Sequence, residues 1–202
     1  MKSGINVIII ILIAVLFLPG CTDNDEVIKK FETGTVSDIE GNQYITVKIG
    51  DQWWMQEDLK VTKLRTGQSI QFLGEFDNEL WSNTELPAYC TGETGLLYNF
   101  YAVQSNNIAP DGWHVATDED WKKLESFLGM DPKELDGINW RGDGEGNKLK
   151  QDYQESGWLP YENNWSTNES GFNALACGCR LPDGRKCSPS KQNKVLVDLY
   201  FF

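Results

Sequence analysis

The strongest local signal in this chain is a capped amphipathic helix. In Thr117-Asp-Glu-Asp-Trp-Lys-Lys-Leu-Glu-Ser-Phe-Leu-Gly129, Thr117 can cap the helix and Asp120, three residues on, can complete a capping box. The acids at 118–120 sit where the helix dipole favours negative charge. Trp121, Leu124 and Leu128 fall at i, i+3 and i+7 and make one buried stripe, and Gly129 supplies the stop. A helix over about 118–128 is therefore expected. Elsewhere the apolar segments are short and the chain is rich in Gly, so little regular structure is expected.

Such a domain needs a core of large side chains, and the chain supplies them. It has eight Trp, seven Tyr and nine Phe beside 19 Gly. A buried aromatic removes roughly 150–250 Å² from water, so a few of them hold a loop-rich fold together. The same rings, if exposed, are stacking platforms. Acidic residues outnumber basic ones, 30 to 18, for a net charge of -12. That surface repels phosphate backbones, so nucleic acid is not expected as a partner.

The first twenty residues set the compartment. Lys2 precedes an apolar run from Val7 to Leu18, and Leu18-Pro19-Gly20-Cys21 follows. The run is too short to span about 30 Å of hydrocarbon and reads as a secretory signal over 1–20. Its ending resembles the bacterial lipobox, in which the cysteine is lipidated. Cys21 is thus the expected lipid anchor, tying the chain to a membrane. Residues 21–33 are polar and read as a tether, beyond which the domain begins at about 34. The acids after Cys21 also resemble a surface-export signal of Bacteroidetes lipoproteins. The expected location is the outer membrane, periplasmic or surface-exposed.

Cys90, Cys177, Cys179 and Cys187 would then face an oxidising compartment. Their pairing is open, although Cys177 and Cys179 are too close to bridge each other easily, so a bridge from either would reach Cys90 or Cys187. A zinc site at Cys177-x-Cys179 lacks a nearby histidine and fits no common spacing. His114 is the one histidine and reads as a packed or capping side chain. Asp143 and Glu145 lie in a Gly-rich loop and read as solvated acids, with glycosidase or calcium chemistry as the sharper alternative. No metal, cofactor or catalytic residue is assigned.

Along the chain, Ile45, Val47 and Ile49 alternate with Tyr44, Thr46 and Lys48, the pattern of a strand with one buried face. Val36–Ile39 and Gln52–Met55 would flank it in a meander. Residues 60–95 show little periodicity and read as a long excursion. Leu96–Val103 suits either a buried strand or a helical turn. A second short helix is expected at Asp131-Pro132.

Several ordered blocks carry a family resemblance. They are Asp38-Ile-Glu-Gly-Asn-Gln-Tyr44, Thr46-Val-Lys-Ile-Gly-Asp-Gln-Trp-Trp-Met55, Leu97-Tyr-Asn-Phe-Tyr-Ala-Val103, Gly112-Trp-His-Val-Ala-Thr-Asp-Glu-Asp-Trp121 and Thr167-Asn-Glu-Ser-Gly-Phe172. Together they resemble the Fibrobacter succinogenes major paralogous domain over residues 34–184. The resemblance implies a secreted or surface-associated domain without an established catalytic activity. The Gly112–Trp121 block is also similar, more distantly, to the helix start of formylglycine-generating-type domains. That likeness implies an α+β, C-type lectin-like fold with short twisted antiparallel sheets, few helices and long loops. Ala116 replaces a family Pro, and Cys177 and Cys179 replace a Gly and a Tyr. Residues 185–202 read as a non-family tail, as if a frameshift or premature stop had replaced the last strands.

The function expected from these readings is a non-catalytic surface module for adhesion or glycan binding, its partners polysaccharide or surface proteins. Trp81, Trp140, Trp158 and Trp165 stand in polar stretches and are the candidate ligand-binding rings. The alternatives are a remote enzyme of the formylglycine-generating type, a structural subunit of a surface assembly, and a truncated remnant.

Overall fold

The computed structural model describes residues 31–138, 141–152, 158 and 165–187. The signal at 1–20, Cys21, most of the tether, Trp140 and residues 188–202 lie outside them. The folded unit begins at Phe31, ahead of the boundary expected at 34. Strand β1 (Thr33–Ser37) has already started there, Lys48 N donates to Glu32 O, and Phe31 packs on a core.

Strands β1, β2 (Gln43–Ile49) and β3 (Gln52–Met55) form an antiparallel meander. Asp38 makes the first turn: its Oδ1 accepts from Glu40 N and Asn42 N at 2.9 and 3.0 Å. Side chains on a strand alternate between faces, and here both faces of β2 are covered. Tyr44 and Thr46 are buried on one side, Val47 and Ile49 on the other, while Ile45 is 48% exposed. One buried face with Tyr44 outside was the expectation. The meander instead separates two cores, so each phase of the alternation is buried in turn.

Tyr44 and Met55 belong to the first core, with Leu59, Val61, Leu64, Ile70 and Ile108. Val47 and Trp54, paired across the strands, belong to the second with Leu124, Leu149 and Phe172. The Trp54 ring lies 4.9 Å from Trp121 and 5.4 Å from Phe172, centroid to centroid. Such pairs add about 0.5–1.5 kcal/mol each beyond burial.

Residues 60–95, expected as a long, partly ordered excursion, supply two strands of a second sheet. Strand β4 (Gln71–Phe72), helix α1 (Asn78–Asn83) and strand β5 (Ala88–Thr91) follow one another, and β6 (Leu96–Tyr98) pairs with β5 antiparallel. The β4–β5 pairing is parallel, a departure from the all-antiparallel sheets expected. Leu96–Val103 proves to be both of its alternatives. After β6, Asn99 caps α2 (Phe100–Gln104), accepting from Ala102 N at 3.0 Å.

Helix α3 (Asp118–Phe127) carries the expected capping box, with Thr117 Oγ1 accepting from Asp120 N and Asp120 Oδ2 from Thr117 N. Leu124 is fully buried and Leu128 is the C-cap. At Asp131-Pro132 the chain makes turns rather than a helix, and α4 (Glu145–Leu149) forms later. Strands β7 (Cys179–Arg180) and β8 (Lys186–Cys187) close a hairpin with a Cys179–Cys187 disulfide, Cα atoms 5.0 Å apart. Residues 185–187 are therefore part of the fold, beyond the boundary expected at 184. The architecture is a mixed α+β domain of short sheets and few helices. No helix among the described residues is long and apolar enough to cross a membrane.

Candidate functional site

An open cleft of about 480 Å³ lies where α1, α2 and the β7–β8 hairpin meet. Trp81, Tyr98, Phe100, Tyr101, Arg180 and Pro182 line it, together with the polar run from Ser82 to Glu85. Each wall is held by an identifiable contact.

Asn99 sets the α2 wall. Its buried side chain accepts from Ala88 N at 3.0 Å as well as from the helix, and donates to Leu86 O at 2.9 Å. These bonds tie it to the segment that enters β5 and to the start of α2. The residues that follow are therefore presented outward: Phe100 is 68% exposed and Tyr101 36%, their rings edge-on at 6.2 Å. Tyr98 turns inward. Its hydroxyl donates to Val61 O at 2.8 Å, and burial holds it well above its ordinary pKa, so it stays neutral.

Arg180 sets the opposite wall. Its guanidinium lies 4.4 Å from the centre of the Trp81 ring, a stacked cation–π contact. Nε donates to Gly184 O at 3.0 Å, Nη1 to Leu73 O at 2.7 Å, and Nη2 to Gly74 O at 3.0 Å and Asn78 Oδ1 at 3.2 Å. One arginine thus fastens the hairpin to β4 and α1. Gly184 is needed for this approach: its φ is +86°, and a Cβ there would stand 2.6 Å from Asn78 Cα.

The structure places the expected tryptophans differently from one another. Trp81 lies on helix α1, not in a polar loop, and is 8% exposed in a cluster with Leu73, Ala88, Cys90 and Leu97. It lines the cleft beneath Arg180 and is no open platform. Trp158 donates its indole N–H to Ala174 O at 2.8 Å, with Lys150 Nζ 5.4 Å from its ring centre. Trp165 is 42% exposed. Neither of these two lines the cleft, and Trp140 lies outside the described residues. The exposed rings at the cleft are Phe100 and Tyr101, which sequence reasoning left within an ambiguous apolar run. The signal that could have found them is Asn99, a capping residue in front of two aromatics.

The other candidates are structural in their contacts. His114 Nε2 sits 3.0 Å from Asp120 Oδ2, within the cap of α3. Burial pushes the Asp120 carboxyl up, but hydrogen bonds from Thr117 and His114 hold it below its ordinary pKa. Glu145 Oε2 accepts from Asp143 N at 2.8 Å, closing a turn. Cys90 is a buried free thiol, and Cys177 packs against the same cluster. Among the described residues no group of three or more His, Cys, Asp or Glu is placed to hold a metal.

Against known proteins, the sequence profile of the family described as the Fibrobacter succinogenes major domain matches residues 47–197. The match runs past residue 184, where the resemblance was expected to end, and takes in 185–197 of the stretch read as a non-family tail. No curated protein matches the chain, and no solved structure does.

Proposed function

The chain belongs to the Fibrobacter succinogenes major domain family, and from that premise we propose that it is a non-catalytic surface module that binds glycan in the α1–α2–hairpin cleft. The observation that carries this reading is the pair of exposed rings, Phe100 and Tyr101, presented on the capped helix α2 beside a polar rim. A sugar's apolar face stacks on such rings while its hydroxyls meet Ser82, Asn83 and Glu85. Rigid aromatic anchors lose little entropy on binding. Glu85 is the one carboxylate among the described lining residues, and none is a histidine, which favours binding over acid–base chemistry. A C-type lectin-like scaffold, the finer form of the fold, is part of the same proposal and draws on the Gly112–Trp121 block.

The rest of the reading concerns location. The Leu18-Pro19-Gly20-Cys21 motif supports a lipid at Cys21 that holds the domain on the outer membrane, with polysaccharide or surface proteins as partners. Labelled palmitate is expected in the native chain and not in a Cys21→Ala variant.

The binding reading is tested on a glycan array with the purified protein, followed by titration of any ligand found. Phe100→Ala with Tyr101→Ala should leave the thermal midpoint in place and weaken binding by about tenfold or more, each 1.4 kcal/mol being a factor of ten. An array without signal, or unchanged affinity in that variant, would overturn the assignment of the cleft.

A further inference from the structure

We propose that the glycan taken by this cleft carries a carboxylate, as a uronic acid does, and that Arg180 receives it. The inference rests on the glycan reading and adds the charge of the ligand and the residue that reads it.

The chain has four arginines. Arg65 pairs with Asp111 at 3.5 Å, Arg141 with Glu125 at 2.8 Å and Asp118 at 3.0 Å, and Arg185 with Asp183 at 2.6 Å. Arg180 has no acidic partner among the described residues, in a chain with 30 acids to 18 bases. Every group it touches is neutral: three backbone carbonyls, the Asn78 side-chain oxygen and the Trp81 ring. Its charge is therefore intact and faces a cleft.

The geometry is that of a prepared receptor. A guanidinium has five N–H donors and does not deprotonate in proteins. Four are used on the protein, which fixes the plane of the group, and one on Nη1 remains. A carboxylate that meets it gains a charge-assisted hydrogen bond with no side-chain ordering left to do.

The ligand's remaining sugars should be neutral. Glu85 lines the same cleft, is exposed, and has no cation partner among the described residues. A run of acidic sugars would bring further negative charge against it, within a Debye length of about 8 Å at physiological salt. One acidic sugar among neutral ones satisfies both charges, with the neutral rings on Phe100 and Tyr101.

The experiment uses the full chain in its oxidised form and calorimetric titration with three probes of equal length. They are a neutral xylose oligosaccharide, the same oligosaccharide bearing one glucuronate, and the methyl ester of that glucuronate. The free acid should bind at least about tenfold tighter than the ester or the neutral probe. That advantage should shrink as NaCl rises from about 50 to about 500 mM. Glu85→Gln, at an exposed position, should tighten the free acid by about twofold to threefold with an unchanged thermal midpoint. Because replacing Arg180 removes four hydrogen bonds from the fold, the ester, not an arginine variant, makes the decisive comparison. Equal binding of acid and ester, or weaker binding of the acid, would overturn the carboxylate inference and leave the glycan reading standing. Binding of none of the three would also overturn it, and the array result would then decide whether the cleft binds glycan at all.

Discussion

Tyr44 donates its phenolic proton to Asp38 Oδ2 across 2.5 Å, tying the first core to the turn between β1 and β2. The same hydroxyl oxygen accepts from Lys60 N at 3.0 Å. Burial pushes the Asp38 carboxyl up, but bonds from Tyr44, Asn42 and Glu40 outweigh it and hold the group below its ordinary range. A lowered folded pKa contributes stability that is present above the unfolded value of about 3.9 and is lost as pH falls through the folded one. Tyr44→Phe should cost about 1–3 kcal/mol at pH 7, because it removes one bond from a buried carboxylate and the acceptor of Lys60 N. Asp38→Asn should flatten the loss of stability below about pH 4. Urea titrations across pH check both.

Asp58 should behave in the opposite sense. Burial raises its pKa, and the bond from Thr94 at 3.0 Å only partly offsets that. Its charged form is disfavoured in the fold, so its contribution is most favourable below the unfolded pKa of about 3.9 and is lost as pH rises through the folded one. Asp58→Asn should therefore unfold at a higher urea concentration than wild type at pH 7, the gap closing below about pH 4. If the substitution instead lowered stability at pH 7, the charge would have a partner worth more than its desolvation.

Phe172 tests the second core. It is fully buried, with ring centres 5.4 Å from Trp54 and 5.9 Å from Trp121. Phe172→Ala should cost about 3–5 kcal/mol by chemical denaturation, the range for removing an aromatic from a packed core. A cost below about 1 kcal/mol would mean that the neighbours collapse into the gap.

What could be read from the residues follows from how far apart the deciding contacts lie. Helix α3 was legible because Thr117, Asp120 and Gly129 act within one helix. The β2–β3 meander was legible because Gly50 and Asp51 mark its turn between two short apolar runs. The burial of Tyr44 was not, since the core that covers it comes from residues 55–109, beyond the reach of local alternation. Trp81 read as a loop tryptophan for the same reason. Its cover is Arg180, ninety-nine positions on, and nothing near either residue announces the other. The cleft inherits that difficulty, being assembled from three segments that meet only in the folded chain.

The Cys179–Cys187 bridge should matter to the cleft more than its size suggests. Strands β7 and β8 have two residues each, too few for an independent hairpin. A bridge over eight positions contributes about 2–3 kcal/mol by loop-closure arguments. Cys179→Ser with Cys187→Ser should release Arg180 from Leu73 and Gly74. Hydrogen exchange should then speed up in residues 73–84 as well as in 178–187. Unchanged exchange at 73–84 would show that α1 and β4 hold without the arginine.

Because β2 is sandwiched, with Tyr44 facing one core and Val47 the other, the strand has no spare side on which a mistake can hide. A single-residue insertion between Thr46 and Val47 would rotate every downstream side chain by half a turn and invert inside and outside for Val47, Lys48 and Ile49. Lys48 would be driven into apolar surroundings as two aliphatics surfaced. Surface loops absorb added residues at small cost, whereas one residue added to this strand sets a charge against an apolar core.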